Sequence, residues 1–167
     1  MRVRRAVVDD AVGIATVHVR TWQVAYRGIV PDEILDAMDI EQRAERWRDD
    51  WLSAPAGGIW VAEKGGAIIG WANIGPSRDR DEDAVPGELY GIYVASAEWG
   101  TGAGQSLIDV ATEWLREQFA AASLWTLEAN ARARRFYEKN GWRPDGTTKE
   151  EDARGVLLRE VRYRIDL

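Results

Sequence analysis

Cysteine is absent from the 167 residues, so the chain has no disulfide framework, no thiolate nucleophile and no Cys-ligated zinc. Histidine occurs once, at His18. A single ring excludes the paired-histidine metal motifs, and no metal site is expected. A Ser-His-Asp triad would have to run through His18, yet no Gly-x-Ser-x-Gly turn supplies its serine. His18 therefore reads as structural or as part of a substrate-lining wall, and acid–base chemistry falls to Tyr, Glu, Asp or water. An excess of positive charge is also missing: 22 basic against 28 acidic residues give a net charge of −6. That balance speaks against a nucleic-acid protein, whose phosphate contacts need a basic face. Only three of the basic residues are lysines, a bias that points to a GC-rich genome more than to a function. Long apolar runs are lacking. The longest uncharged stretch is the 13 residues from Gly65 to Ser77, against roughly 20 for a bilayer-spanning helix, so no membrane segment is expected. The N-terminal apolar run stops at Asp9, too early for a secretory signal, and a cytoplasmic protein is expected.

What is present describes one globular domain over residues 1–167, with 46 % apolar and 30 % charged residues, large enough to bury a core unaided. Nine tryptophans belong mostly to core or pocket wall. The run Val3–Val8 predicts a strand, and Asp9 or Asp10 an N-cap for a helix from about Asp10 to Tyr26. A short helix around Ile34–Met38 and an amphipathic helix over Ile40–Leu52 follow. After a break at Pro55–Gly58, Ile59–Lys64 and Ala67–Ile74 form a hairpin turned by Gly65-Gly66. A polar loop spans Gly75–Gly87, then come a strand over Glu88–Val94, a helix over Gly102–Phe119, a strand over Ser123–Leu127 and a helix over Arg132–Asn140 stopped by Gly141. Trp142–Arg143 and Val156–Ile165 read as final strands separated by a charged loop over Thr147–Gly155. This order predicts a mixed α/β fold: a mixed sheet with helices on both faces.

The chemistry concentrates in Glu88-Leu-Tyr-Gly-Ile92-Tyr93-Val94 and in Trp99-Gly100-Thr101-Gly102-Ala103-Gly104-Gln105. Three alternate glycines let the backbone turn tightly and approach a ligand. They stand directly before a long helix, whose free amides and positive dipole end suit a pyrophosphate. A Walker loop would need a lysine that is not there, and in the dinucleotide fingerprint a third glycine would stand where Gln105 does. Taken alone, the block is equally a plain strand-to-helix turn.

Together with the segment from Leu124 to Trp142, the block resembles the GNAT superfamily of N-acetyltransferases. Trp99-x-x-Gly102-x-Gly104 is similar to the family's acetyl-CoA pyrophosphate motif, with Trp99 in place of the usual Gln or Arg. Asn130 and Tyr137 have the spacing of the family's strand-end asparagine, which contacts the cofactor arm, and of the tyrosine that points at the thioester sulfur. The resemblance extends over the order of elements along nearly the whole chain. It implies a mostly antiparallel central sheet with a splayed strand pair, acetyl-CoA as cofactor, and a primary amine of a small molecule or peptide as acceptor. Family members often form homodimers. Trp22-Gln-x-x-Tyr26-Arg-Gly before Pro31 resembles a common bacterial branch whose acceptors are mostly undefined.

On this resemblance, Ile92–Val94 splays from Leu124–Leu127 and offers backbone groups to the pantetheine arm as an added strand does. The Val94 amide polarises the thioester carbonyl. Tyr137 protonates the leaving thiolate, since a phenol titrates near 10 and an alkyl thiol near 8.5; without the Asn130 spacing, a core tyrosine under Phe136 is the favoured reading, and the spacing reverses it. Glu88 is expected to share the face of Tyr90 and Ile92 and to take the proton of the amine directly or through water. A solvated strand-start carboxylate is the plainer reading, and Glu128 a second candidate. Trp22 and Tyr26 would wall the acceptor pocket, although core packing also explains such a stripe. The acidic residues Asp79–Asp83 would attract a cationic acceptor or are solvated surface. A non-catalytic acyl-CoA-binding or sensing module of the same fold is the alternative function.

Overall fold

The computed structural model describes residues 1–53, 57–80, 84–153 and 155–167. Seven strands form one sheet in the order β1-β2-β3-β4-β5-β7-β6. They are β1 (Arg2–Arg5), β2 (Gly58–Lys64), β3 (Ala67–Pro76), β4 (Gly87–Val94), β5 (Ala121–Leu127), β6 (Arg143–Ala153) and β7 (Val156–Asp166). Every pairing is antiparallel except β4 with β5. The helices are α1 (Ala11–Ala25), α2 (Asp32–Asp36), α3 (Ile40–Arg46), α4 (Ala103–Gln118) and α5 (Ala131–Lys139).

The sequence pattern explains both faces. Along β2, Ile59 and Val61 face α1 and α3, whereas Trp60 and Ala62 join the core under α4; the period of two sends alternate residues to opposite layers. Leu107, Ile108, Ala111 and Leu115 recur at helical spacing on α4 and are fully buried. Gly65 and Gly66 both have positive φ, 59° and 81°, which the tight turn between β2 and β3 requires. Among the described residues no helix is long and apolar enough to cross a membrane.

Four expectations need correction. The first strand ends at Arg5, because the chain turns through Val8–Asp10. Asp10 precedes α1 without a side-chain cap. Its carboxylate instead binds the Arg4 guanidinium at 2.7 and 2.8 Å and the Val7 amide at 2.8 Å. The charged segment Thr147–Gly155 is no loop: most of it belongs to β6, which pairs with β7 from Thr148 to Ala153. It lies at the sheet edge, where polar residues face solvent and no apolar alternation is needed. The helix expected over Ile40–Leu52 continues past Arg46, but as one wider turn over Trp47–Leu52 closed by Ser53 N–H donating to Arg48 C=O at 3.2 Å. Pro55 and the acidic residues Asp81, Glu82 and Asp83 lie outside the described residues.

Candidate active site

Strands β4 and β5 pair only at Gly87–Leu89 with Ala122–Leu124, and beyond that they part. A register shift opposite Asn73/Ile74 leaves Tyr90 as the extra residue of a bulge, the device that bends a strand and ends pairing. Ala95 N–H donates to Ile69 C=O at 2.8 Å. Tyr93 and Ala95 thus turn their amides toward β3, while Ile92 and Val94 turn theirs into the gap. The expected splay and the expected gap-facing Ile92 and Val94 are both present. Tyr93 differs from expectation: its backbone serves β3, and its ring lies on the α1 side with its hydroxyl 3.4 Å from that of Tyr26.

The gap opens into a cleft of about 930 Å3. On one side stands the start of α4. Gly102 is its N-cap with φ +95°, and its carbonyl accepts the first helical bond from Ser106 at 3.0 Å. The amides of Ala103, Gly104 and Gln105 therefore have no partner within the helix. Gly100, Gly102, Gly104 and Gln105 line the cleft. Ala103 buries its methyl in the core, and Thr101 turns its hydroxyl back to Glu98 C=O at 2.8 Å, so these two contribute backbone only. The Gln105 amide group is tied to Asn140 at 2.6 Å and Asp109 at 2.8 Å. Trp99 donates from Nε1 to Val94 C=O at 2.8 Å, and the Arg132 guanidinium lies 3.7 Å over its ring. The tryptophan therefore clamps the end of β4 and holds a cation at the cleft wall, where an anionic ligand gains from it.

Asn130 caps α5 by accepting from Ala133 N–H at 3.1 Å. Two helical turns later Tyr137 faces the same cleft. Burial, the largest effect, and the neighbouring Tyr93 push the Tyr137 hydroxyl above the ordinary tyrosine range. At neutral pH it keeps its proton.

The cleft wall beneath α1 is aromatic. Trp22 meets Tyr26 edge-on at 4.7 Å, and His18 stacks on Tyr93 at 5.2 Å. All four line the cleft. His18 is pushed down to about 3 by burial, and by Arg43 to a lesser degree, so it is a neutral wall at physiological pH. Glu88 is 1 % exposed and also lines the cleft. Because of the bulge it shares the face of Tyr90 and Tyr93, not that of Ile92, which packs under α4 with Leu89. Its carboxylate accepts from the Arg78 backbone N–H at 2.8 Å and from guanidinium Nη2 at 2.5 Å and Nε at 3.2 Å. Both oxygens are thus engaged. Glu128, the second candidate for a base, does not line the cleft and pairs with Arg159 at 3.4 Å. Asp79, expected as an open attractant, accepts from Trp125 Nε1 at 2.9 Å and pairs with buried Arg162 at 3.3 Å.

Several cleft residues were missed in the sequence: Arg78, Trp125, Arg132, Lys149 and Glu160. Arg132 alone carried a signal, two residues after Asn130 in the first turn of α5. The others arrive from strands and loops distant in the chain. Among the described residues no cluster of His, Asp and Glu could hold a metal ion.

A family model described as "Acetyltransferase (GNAT) family" matches residues 13–142. The uncharacterized N-acetyltransferase YuaI of Bacillus subtilis is 31 % identical over 162 residues, covering 95 % of this chain and 89 % of that protein. Ribosomal-protein-alanine N-acetyltransferase from Brucella melitensis has a similar fold, with TM-score 0.72, 23 % identity and full coverage, 100 % of each chain. The protein yncA of Salmonella typhimurium, solved with its cofactor acetyl-CoA, superposes with TM-score 0.69 and 20 % identity over 99 % of this chain and 92 % of the other.

Proposed function

The chain belongs to the GNAT acetyltransferase family, and from that premise we propose that it moves an acetyl group from acetyl-CoA to a primary amine by direct attack of the amine on the thioester. One observation carries the reading. The gap between β4 and β5 brings the gap-facing amide of Val94, the open amides at the start of α4, and Tyr137 into one cleft. The Salmonella neighbour with the same fold holds acetyl-CoA.

The geometry supports a role for each group. The amides after Gly102 and the positive end of α4 hold the pyrophosphate, with Arg132 beside them. Ile92 and Val94 offer strand-like hydrogen bonds to the pantetheine arm, and Asn130 meets it from the start of α5. The Val94 N–H is the donor for the thioester carbonyl, whose oxygen gains negative charge as the amine attacks. Tyr137, protonated at neutral pH, gives its proton to the departing thiolate. Trp22 and Tyr26 wall the acceptor side. Glu88 orders that wall through Arg78. Its oxygens are already engaged, so the amine's proton needs another recipient. The acceptor is a primary amine on a small molecule or peptide.

Calorimetry with acetyl-CoA, paired with the Tyr137→Phe variant, tests this. Acetyl-CoA binding in both proteins, with acetyl transfer to an amine lost in the variant, is the expected result. A sensing module of the same fold would bind acetyl-CoA and acetylate nothing.

A further inference from the structure

The cleft already contains a primary ammonium, and it belongs to the chain itself. Lys149 of β6 reaches in with Nζ 3.3 Å from Glu160 Oε2 and 4.3 Å from the centre of the Trp125 ring. Glu160 stands in β7 directly between Leu127 of β5 and Lys149 of β6. Its side chain is 16 % exposed. Trp125 is pinned at its edge, since Nε1 donates to both oxygens of Asp79 at 2.9 and 3.1 Å. Its ring meets two cations, Lys149 at 4.3 Å and the buried Arg162 guanidinium farther off at 5.7 Å from its centre. A carboxylate on one side and an indole face on the other are the two attractions that select an alkylammonium.

Lys149 holds this place loosely. Its side chain is 41 % exposed and sits on a flexible four-carbon arm, whose rotamer freedom is lost while it is held here. Glu160, in contrast, is fixed in the middle of a strand. The groups that face it are Lys149 and Glu151 from β6 and Tyr93 from β4; Leu127 of β5 is apolar. Burial, the largest effect, raises the proton affinity of the Glu160 carboxyl above the ordinary range. Glu88 has no comparable opening, because Arg78 occupies both its oxygens, Oε1 through the guanidinium and Oε2 through the backbone N–H.

We propose that the Glu160 carboxylate and the face of Trp125 form the seat of the acceptor's ammonium group, which Lys149 occupies until an acceptor displaces it. The inference rests on the amine-acetylation reading and deepens it. The acceptor it implies carries its primary amine on an unbranched aliphatic arm, as a lysine side chain or a polyamine does. Seated there, the ammonium passes one proton to Glu160. The freed nitrogen bonds to the acetyl carbon, the carbon–sulfur bond breaks, Tyr137 gives its proton to the thiolate, and the proton the new amide nitrogen sheds returns Tyr137 to its neutral form.

The test empties the seat with Lys149→Ala and refills it with n-butylammonium chloride, using n-butanol and sodium chloride as controls. Lys149→Ala is expected to show a saturable rise in Tm, about 3–5 °C at ten times the dissociation constant, that neither control reproduces. The double variant Lys149→Ala/Glu160→Gln is expected to show none. Equal responses of the two variants, or no saturable response in Lys149→Ala, overturn the proposal. Acetyl-CoA calorimetry on the same proteins keeps the two readings apart. Loss of acetyl-CoA binding in the parent would refute the acetyltransferase reading and leave the ammonium seat standing.

Discussion

Replacing Gly102 by alanine isolates what the glycine turn contributes. Gly102 has φ +95°, and a Cβ built there meets nothing within 4 Å. The cost is therefore conformational and not steric. A side chain held in the left-handed region costs about 1–2 kcal/mol, which for a domain of this size lowers Tm by about 2–8 °C. If the turn relaxes to escape that strain, the amides of Ala103 to Gln105 swing off their common focus. Coenzyme A affinity is then expected to fall tenfold or more, the equivalent of about 1.4 kcal/mol. Gly104→Ala is the matched control. Its φ is not positive, and the added Cβ lies 3.5 Å from the Phe136 ring, an ordinary contact. It is expected to keep affinity within about threefold, a margin below 1 kcal/mol, whereas the γ-methyls of Gly104→Val press on that ring and weaken binding. Calorimetry with coenzyme A and thermal denaturation read both quantities. Unchanged affinity in Gly102→Ala, or equal damage from the two alanines, would refute the helix-start anion site.

Tyr137→Phe keeps the ring packed against Phe136 and removes only the hydroxyl, so acetyl transfer is expected to fall by about 10²-fold or more while Tm and coenzyme A affinity hold; parallel loss of fold and rate would make Tyr137 structural. Glu88→Gln breaks the charge-assisted bonds to Arg78 and is expected to lower Tm. Because Arg78 engages both Glu88 oxygens, the variant's rate relative to the parent is expected to stay constant from pH 7 to about 9.5; a ratio that recovers as pH approaches the amine's value near 10.4 would assign Glu88 the proton-accepting role. The Arg4 guanidinium, as the largest effect, holds the Asp10 carboxyl below the ordinary range. Its contribution to stability is therefore complete above about pH 4, the unfolded value, and is lost as pH falls through the lower folded value. Asp10→Asn is expected to destabilise at neutral pH and to flatten the acid limb of the stability curve; an unchanged acid limb counts against the pair.

Local features were legible in the sequence. Gly65-Gly66 sits between two strand-like runs, so the hairpin needed no knowledge of the rest of the chain. Asn130 and Tyr137 lie two turns apart on one helix, and helix geometry alone places them on one side. The glycines before α4 likewise act through their own backbone. Features created by pairing were not legible. The bulge at Tyr90 exists only in register with β3, and it reverses the face that strict alternation assigns to Glu88. β6 carries few apolar residues because it lies at an edge, so its strand character was hidden behind its charge. The pairs Arg78–Glu88 and Lys149–Glu160 depend on the register of neighbouring strands, and Asp79–Trp125 joins segments that only the sheet order brings together; one wall of the cleft is built from them.

Acetyl transfer through this cleft is tested most directly by one titration with product analysis. Acetyl-CoA is titrated calorimetrically into the protein, and the protein is then incubated with acetyl-CoA and a panel of primary alkylamines, polyamines and lysine-containing peptides while mass spectrometry follows the products. Saturable binding of acetyl-CoA together with an N-acetylated amine that Tyr137→Phe does not form is the predicted result. Saturable binding with no acetylated product from any member of the panel would contradict it and leave an acyl-CoA-binding module in its place.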